Sequence, residues 1–350
     1  MNASRNSWYA RLGIELPVVL APLGGESASA ALVAAVSNAG GLGILGAAYM
    51  TPARMDEVLA EVRSLTDKPF GVNLFCPQQW KRDAAREAAF VAQLSVYHAE
   101  LGIAAPQIPE RFEEDFESQF DSVLKAAPAV FTFTFGDLGR DRIAALQRRG
   151  TQVWGTATQV REAVHLALLG VDGIVAQGAE AGAHRGTFLG SRDEGLVGTI
   201  ALVPQVVDAV KVPVIAAGGI ADARGVRAVQ ALGASAAAAG TVFLLADECP
   251  ISSAYRDALQ QGQEHETVMT RAFSGRWARG LDNRFMRELA AADLPEFPIP
   301  NALTRPLRQA AAKAGRAEFL SLWAGQAVAL AKRAPAAQIV RNLAAGWRDE

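Results

Sequence analysis

The sequence predicts an α/β protein: a (β/α)8 TIM barrel with an inserted helical segment and a C-terminal helical extension. Short apolar runs alternate with helical patterns eight times between residues 16 and 239, the rhythm of a closed parallel barrel rather than an open sheet. Glycine-rich turns follow several of those runs at their C-terminal ends, where parallel barrels carry their sites. The units share no sequence repeat, which argues against a solenoid. A chain of 350 residues has room for one barrel of ~250 residues plus appendages.

Leu16–Leu20 reads as the first strand and ends in Ala21-Pro22-Leu23-Gly24-Gly25. An Ala-rich helix follows over Ser27–Ala39, with a serine cap and a Gly40-Gly41 stop. Leu42–Leu45 is the second strand. Thr51-Pro52 opens a helix that runs to about Leu65, proline being suited to a first helical turn. Phe70–Phe75 is the third strand. The rhythm then breaks. Residues 77–125 are charged and helical in pattern, an insertion without a strand. Ala129–Phe135, Gln152–Gly155, Gly173–Ala176, Val212–Ala217 and Ala236–Ala239 complete the strands. Helices are expected over Asp137–Arg149, Thr158–Leu169 (with a threonine cap), Thr199–Val210 and Ala221–Leu232. Beyond Cys249, Pro295, Pro298, Pro300 and Pro306 mark an extended segment, and Phe319–Arg333 reads as an amphipathic helix. Residues 1–76 and 126–250 thus form the barrel, and residues 77–125 and 251–350 a cap on its substrate side.

Composition excludes several classes. A net charge of −2 gives no footprint for nucleic acid or anionic lipid. Two cysteines, Cys76 and Cys249, support neither a disulfide framework nor a zinc cluster. The N-terminus MNASRNSWYARLG has no apolar signal core, and charged residues interrupt every long apolar segment. A soluble, cytoplasmic protein is expected.

Four loop features carry chemistry. Gly41-x-Gly43-x-x-Gly46 matches a dinucleotide fingerprint but follows a helix and contains a strand, so packing glycines are expected there. Gly218-Gly219 after the seventh strand, and Ala239-Gly240-Thr241 after the eighth, fit a phosphate site built from backbone N–H groups. His184 sits in the glycine-rich GIVAQGAEAGAHRGTFLG stretch, just past the end of the sixth strand. A histidine there suits proton abstraction or hydrogen bonding to a developing anion. Asn73 and Gln177, at strand ends, either pair with the polar edge of a heterocycle or cap their loops. Ala21-Pro22-Leu23 offers a flat surface to a planar ring. Arg271, Arg276, Arg279 and Arg284 either face an anion or anchor the tail through acids.

With these residues assembled, the chain resembles the nitronate monooxygenases (2-nitropropane dioxygenases), which are FMN-dependent barrels. The resemblance spans nearly the whole chain and is carried by APLGG (21–25), NAGGLG (38–43), DKPFGVNLF (67–75), VAQGAEAGAHRG (175–186), PVIAAGGIAD (213–222), GASAAAAGT (233–241) and FSGRWARGLDNRF (273–285). It implies FMN across the barrel mouth, with its phosphate at Gly218, Gly219, Ala239, Gly240 and Thr241. The ring would lie near Ala21, Pro22, Leu23, Asn73, Gln177 and Gly182. It implies that His184 removes a proton or positions a nitronate, which is oxidised with O2 to a carbonyl compound and nitrite. Partners would be a small-molecule substrate and O2, with a homodimer as the assembly considered.

This sequence departs from the family pattern at several places. The frequent FHFG motif reads Phe133-Thr134-Phe135-Gly136, leaving Thr134 as a substrate-side hydroxyl without base chemistry. A common glutamine is Ala238, and tail positions that carry tyrosines and a lysine in some relatives are Phe297, Asn301 and Arg305. Two rival readings stand: an FMN-dependent NAD(P)H reductase of enoyl thioesters or quinones, and a flavin-free aldolase or isomerase of phosphorylated substrates. The second is weakened because no lysine stands at a strand end, Lys68 and Lys211 preceding theirs.

Overall fold

The computed structural model describes residues 8–348; the first seven residues of the N-terminal stretch read above lie outside it. Its strands are β1 (Val18–Leu20), β2 (Gly43–Gly46), β3 (Phe70–Phe75), β4 (Val130–Thr134), β5 (Gln152–Ala157), β6 (Gly173–Gln177), β7 (Ala183–His184), β8 (Val214–Ala217), β9 (Ala236–Ala239), β10 (Thr267–Thr270) and β11 (Ala278–Leu281). Eight are parallel, in the order β1-β9-β8-β6-β5-β4-β3-β2. A parallel bridge between Val19 and Leu42 joins the two ends. Leu20 N–H donates to Leu42 O and Leu42 N–H to Val18 O, both at 2.9 Å. The sheet is therefore a closed barrel, as the strand count predicts.

Alternation along the strands sorts the core into two shells. Val19, Ile44, Val130, Trp154, Ile215 and Ala236 form an inner apolar cluster with Trp8 and Tyr9, while Phe131 and Phe133 belong to the larger cluster shared with the helices. The short helix Trp8–Arg11 plugs one end, its Trp8 ring 5.3 Å edge-on from Trp154. Trp154 in turn needs Gly173 on the next strand, where a Cβ would lie 2.9 Å from its ring. Toward the C-terminal ends the lining becomes polar, with Asn73, Thr132, Thr134, Thr156 and Gln177. The GLGILG glycines serve packing: a Cβ at Gly43 would fall 2.2 Å from Val33 O, and one at Gly46 2.5 Å from Leu23 O.

Ser29 caps Ala30–Asn38 by accepting from Leu32 N–H, and Thr51 caps Pro52–Leu65. Thr158 does not cap the helix Val160–Leu169: Gln159 holds that position, and Thr158 instead donates its N–H and hydroxyl to buried Glu162. Within residues 77–125 two helices form, Ala84–Glu100 and Phe116–Ala126, with no strand. The second lies beside Pro52–Leu65, its Phe120 ring 6.2 Å from Phe131, so it occupies the crossover between β3 and β4. The first packs on Ile299–Ala314 and meets the tail through Tyr97, whose ring lies 5.0 Å from Phe285 and 5.6 Å from Phe319. Glu100 adds pairs to Arg284 (2.9 Å) and Arg316 (2.6 Å). Solvent screens exposed pairs of this kind, so the aromatic contacts dominate that joint.

Two expectations for the tail fail. The proline-marked segment is not extended throughout, because helix Ile299–Ala314 contains both Pro300 and Pro306. Pro300 falls in the first turn, where its missing N–H loses no bond; Pro306 sits in the interior at the expense of one ladder bond. Nor is Phe319–Arg333 a helix. Only the short turns Ala317–Phe319 and Val328–Leu330 form there. The backbone between them bonds outward instead: Leu322 O accepts from Leu281 N–H, Gly325 N–H donates to Thr241 Oγ, and Gln326 N–H to Glu180 O. Tertiary pairing overrides helical periodicity. The small antiparallel sheet β10-β11-β7, which ties the tail to the His184 loop, has no clear signal in the sequence.

Candidate active site

The loops at the C-terminal ends of the strands enclose one cleft. Ala21, Pro22 and Leu23 line it after β1, Asn73 from β3, Thr134 from β4 and Gln177 from the end of β6. Gly182 and His184 come from the following loop, Gly218 and Gly219 from the turn after β8, and Ala239, Gly240 and Thr241 from the end of β9. All thirteen residues singled out from the sequence thus meet in one place. The tail supplies a further wall through Trp323, Gly325 and Ala327, and Tyr49 and Phe75 close the outer side.

The His184 loop is held from several directions. Gln177 uses both ends of its amide on it, donating to His184 O (3.0 Å) and accepting from Gly186 N–H (2.8 Å). Arg185 points away from the cleft and is buried, donating to Gly178 O, Gln177 O and Gly195 O. Burial, with Arg279 nearby, lowers its pKa to about 10. β11 pairs Ala278 with His184 and Arg279 with Ala183. These restraints sustain Ala183 at φ 61°. Across the cleft Phe135 stands at φ 77°. Non-glycine residues in this region cost of order 1–3 kcal/mol each. Both strained residues flank the same histidine.

His184 is boxed by rings. The Phe75, Phe135, Phe297 and Trp323 centroids lie 6.1, 5.7, 6.1 and 5.6 Å from its own. Its Nε2 lies 2.8 Å from Ser274 Oγ. The ring is half-buried by accessible area because the cleft reaches it, yet removal from bulk water lowers its pKa to about 3, with the positive charges of Arg276 and Arg308 adding to the effect. At neutral pH this histidine is uncharged. Among the described residues no carboxylate orients it: Glu180 accepts from Thr199 N–H and hydroxyl, and Asp172 accepts from Val153 N–H and Gln147.

Positive charge acts on His184 and Tyr49, although none of the described residues lining the cleft is an arginine. Arg276 lies 3.8 Å over the Phe135 ring and donates to Gln78 Oε1 (3.0 Å) and Thr187 O (2.8 Å). Arg308 donates to Asn301 O and Oδ1, while its Nε is buried without a partner among the described residues. Burial lowers both guanidinium pKa values to about 10. The Tyr49 hydroxyl is likewise buried without a partner among the described residues, and burial raises its pKa to about 12 against the pull of Arg308, Arg305 and Arg276. Of the four tail arginines, Arg284 anchors through acids. Arg271 and Arg279 bind backbone carbonyls, Arg279 with the Thr267 hydroxyl as well.

Ser274, Tyr49, Phe75, Trp323 and Arg308 carry no motif that marks them from the sequence as site residues; Ser274 and Phe75 fall only within the family-like strings FSGRWARGLDNRF and DKPFGVNLF. The other histidines lie elsewhere: His98 Nδ1 is 2.6 Å from Ala104 O, and His165 pairs with Asp137. Among the described residues no group of three or more His, Cys, Asp or Glu could hold a metal. No described helix is long and apolar enough to cross a membrane.

Comparison with known proteins follows this geometry. The family model described as Nitronate monooxygenase matches residues 6–346. A protein of Staphylococcus aureus (strain Newman) named probable nitronate monooxygenase is 41% identical over 343 residues, covering 97% of this chain and 96% of the relative. Among solved structures, a nitroalkane oxidase from Streptomyces ansochromogenes superposes with TM-score 0.89 at 39% identity, covering 95% of each chain. FabK from Thermotoga maritima superposes with TM-score 0.73 at 29% identity, covering 95% of this chain and 93% of that one. A match across almost the entire length, with the closed barrel and His184 cleft beneath it, makes this chain a member of the nitronate monooxygenase family of oxidoreductases.

Proposed function

We propose that the cleft binds FMN and oxidises alkyl nitronates with O2 to a carbonyl compound and nitrite. One observation carries this reading: a neutral, ring-boxed His184, in contact with Ser274, lines the cleft, and the charges of the buried Arg276 and Arg308 guanidiniums act on it. Such a site favours an anion that arrives already deprotonated, because desolvated cations stabilise it and a histidine of depressed pKa is a weak base. His184 therefore positions the nitronate by hydrogen bonding, and neutral nitroalkanes are the poorer substrates.

The cleft fits the cofactor. Ala21, Ala217, Ala238 and Ala239 reach no further than Cβ, leaving room for a flat ring. Gly218 (φ 113°) and Gly219 (φ 71°) hold a turn that only glycine adopts without strain. Gly218, Gly219, Ala239, Gly240 and Thr241 would hold the phosphate, and Ala21, Pro22, Leu23, Asn73, Gln177 and Gly182 would flank the ring. FMN supplies the electron transfer between substrate and oxygen. The protein orients the substrate: Thr134, whose hydroxyl lies 3.5 Å from that of Thr156, offers a hydrogen bond to a nitro oxygen, and the aromatic box excludes water.

Anaerobic mixing of the yellow protein with nitronate, nitroalkane or NAD(P)H tests the reading. Bleaching of the flavin by nitronate, with nitrite and oxygen uptake once air is admitted, is the expected result. Bleaching by NAD(P)H alone would replace it with a reductase, and a protein that stays colourless after FMN addition would restore the flavin-free reading.

A further inference from the structure

We infer that Phe297, standing with Phe75 and Tyr49 between two cavities, sets the carbon-chain length that the site accepts. The inference rests on the reading of the cleft as a nitronate site and adds which nitronates it takes. Inside the partition is the His184 cleft, of about 210 Å³, which would also contain the cofactor ring. Outside is a larger cavity of about 570 Å³, lined by Phe297, Arg305 and the aromatic side chains Trp80, Phe112 and Phe116. Tyr49 and Phe75 line both cavities.

Phe297 lines the outer cavity while its ring stands 6.1 Å from His184, 5.7 Å from Phe135 and 6.4 Å from Phe75. The Tyr49 ring packs 5.5 Å edge-on against Phe75 and touches Gly24 behind it, where a Cβ would lie 3.5 Å from Tyr49 Cδ2. Phe75 and Phe135 are the closest rings of the group, 4.4 Å apart. Phe75 and Tyr49 are thus wedged between other elements, whereas Phe297 is the tail's contribution to the wall. A substrate whose reacting carbon sits beside His184 has space for a short chain before it meets these rings. A longer chain needs the outer cavity, whose Trp80 ring lies 5.7 Å from Phe112. Tight apolar pockets discriminate single methylenes by ~10-fold or more, so one aromatic wall suffices to select chain length.

The test compares wild-type holoenzyme with Phe297→Ala and the milder Phe297→Leu, using unbranched primary alkyl nitronates from ethyl to hexyl. Wild-type kcat/KM should fall at least tenfold along the series. Phe297→Ala should raise the hexyl-to-ethyl ratio at least tenfold, with Phe297→Leu intermediate. A ratio that moves less than twofold in both variants overturns the inference, and the leucine variant supplies that result if the alanine variant does not fold. Wild-type protein inert toward every nitronate would defeat the functional reading instead. Calorimetric titration with unbranched carboxylates from acetate to hexanoate then reads the partition without turnover: a tenfold shift toward hexanoate in the variants supports it, and no shift overturns it.

Discussion

His184 and Ser274 lie 90 residues apart in sequence, and their Nε2 and Oγ atoms meet at 2.8 Å. Ser274 Oγ also lies 3.1 Å from Arg276 O and accepts from Arg276 N–H at 3.2 Å. A hydroxyl has one hydrogen. Directed along the shorter contact to His184 Nε2, it leaves the ring proton on Nδ1, where it can donate to a nitronate oxygen; directed at the Arg276 carbonyl, it would put the ring proton on Nε2 and turn a lone pair toward the anion. Ser274 thereby selects a tautomer.

Replacing Ser274 by Ala removes that selection and leaves a ring nitrogen enclosed without its partner, a loss of ~1–3 kcal/mol. We expect kcat/KM for nitronate to drop by roughly ten- to a hundredfold, with FMN affinity unchanged. Cysteine or threonine at 274 should recover part of the activity. Equal losses of flavin binding and turnover in the Ala variant would show a structural role only.

The depressed pKa of His184 has a stability consequence with a definite sign. Its folded value is about 3 against an ordinary 6.5. Between those limits the unfolded chain binds the proton and the folded chain does not, so stability falls as pH drops below 6.5. The slope is at most about 1.4 kcal/mol per pH unit for one proton, and cleft water reduces it. Denaturant midpoints of the wild type and His184→Asn, measured from pH 7 to 4.5, should therefore converge as pH falls; parallel curves would count against a neutral buried ring. For preformed nitronate, kcat/KM should show no His184 ionisation between pH 5 and 8. His184→Asn should keep FMN and lose most of its residual turnover of neutral nitroalkane.

The barrel was legible because eight apolar runs ending in turn residues admit few other topologies, and most of the residues lining the cleft because strand ends and glycine turns mark a mouth, Gly182 and Thr134 entering through the family likeness. What escaped notice depends on long-range pairing. β11 forms from ARGL, a string without strand character, because its partner is the His184 loop. Ser274 is an ordinary serine until that pairing brings it to Nε2. Phe319–Arg333 has a helical pattern, but its N–H groups find partners on the barrel. Gln177, legible as a polar strand end, is committed to the loop backbone at both ends of its amide.

Gly182 tests how tightly that loop is pressed. A Cβ there would fall 2.6 Å from both Ala324 C and Gly325 N. Both are backbone atoms, so no side chain can swing aside. Gly182→Ala should push loop and tail apart, lowering stability by ~1–3 kcal/mol as over-packing does and weakening FMN binding as well. A melting temperature and flavin affinity matching wild type would mean that the two segments are not in contact in solution.

Arg276 links charge and scaffold, and two substitutions separate them. Its guanidinium stacks on Phe135, reaches Gln78 and Thr187, and contributes to lowering the pKa of His184. Arg276→Met keeps much of the side-chain length but removes the charge. The His184 pKa, followed by NMR titration with His184→Asn as the assignment control, should rise toward 6.5, and KM for nitronate should increase at least tenfold. Arg276→Lys keeps the charge and loses the planar fork that spans Gln78 and Thr187. It should leave His184 titrating low and KM within a few-fold of wild type, while stability falls by ~1–2 kcal/mol for the lost bonds. If both variants raise KM equally and neither moves the histidine, Arg276 acts through the shape of the Phe135 loop, and the anion preference must originate at Arg308.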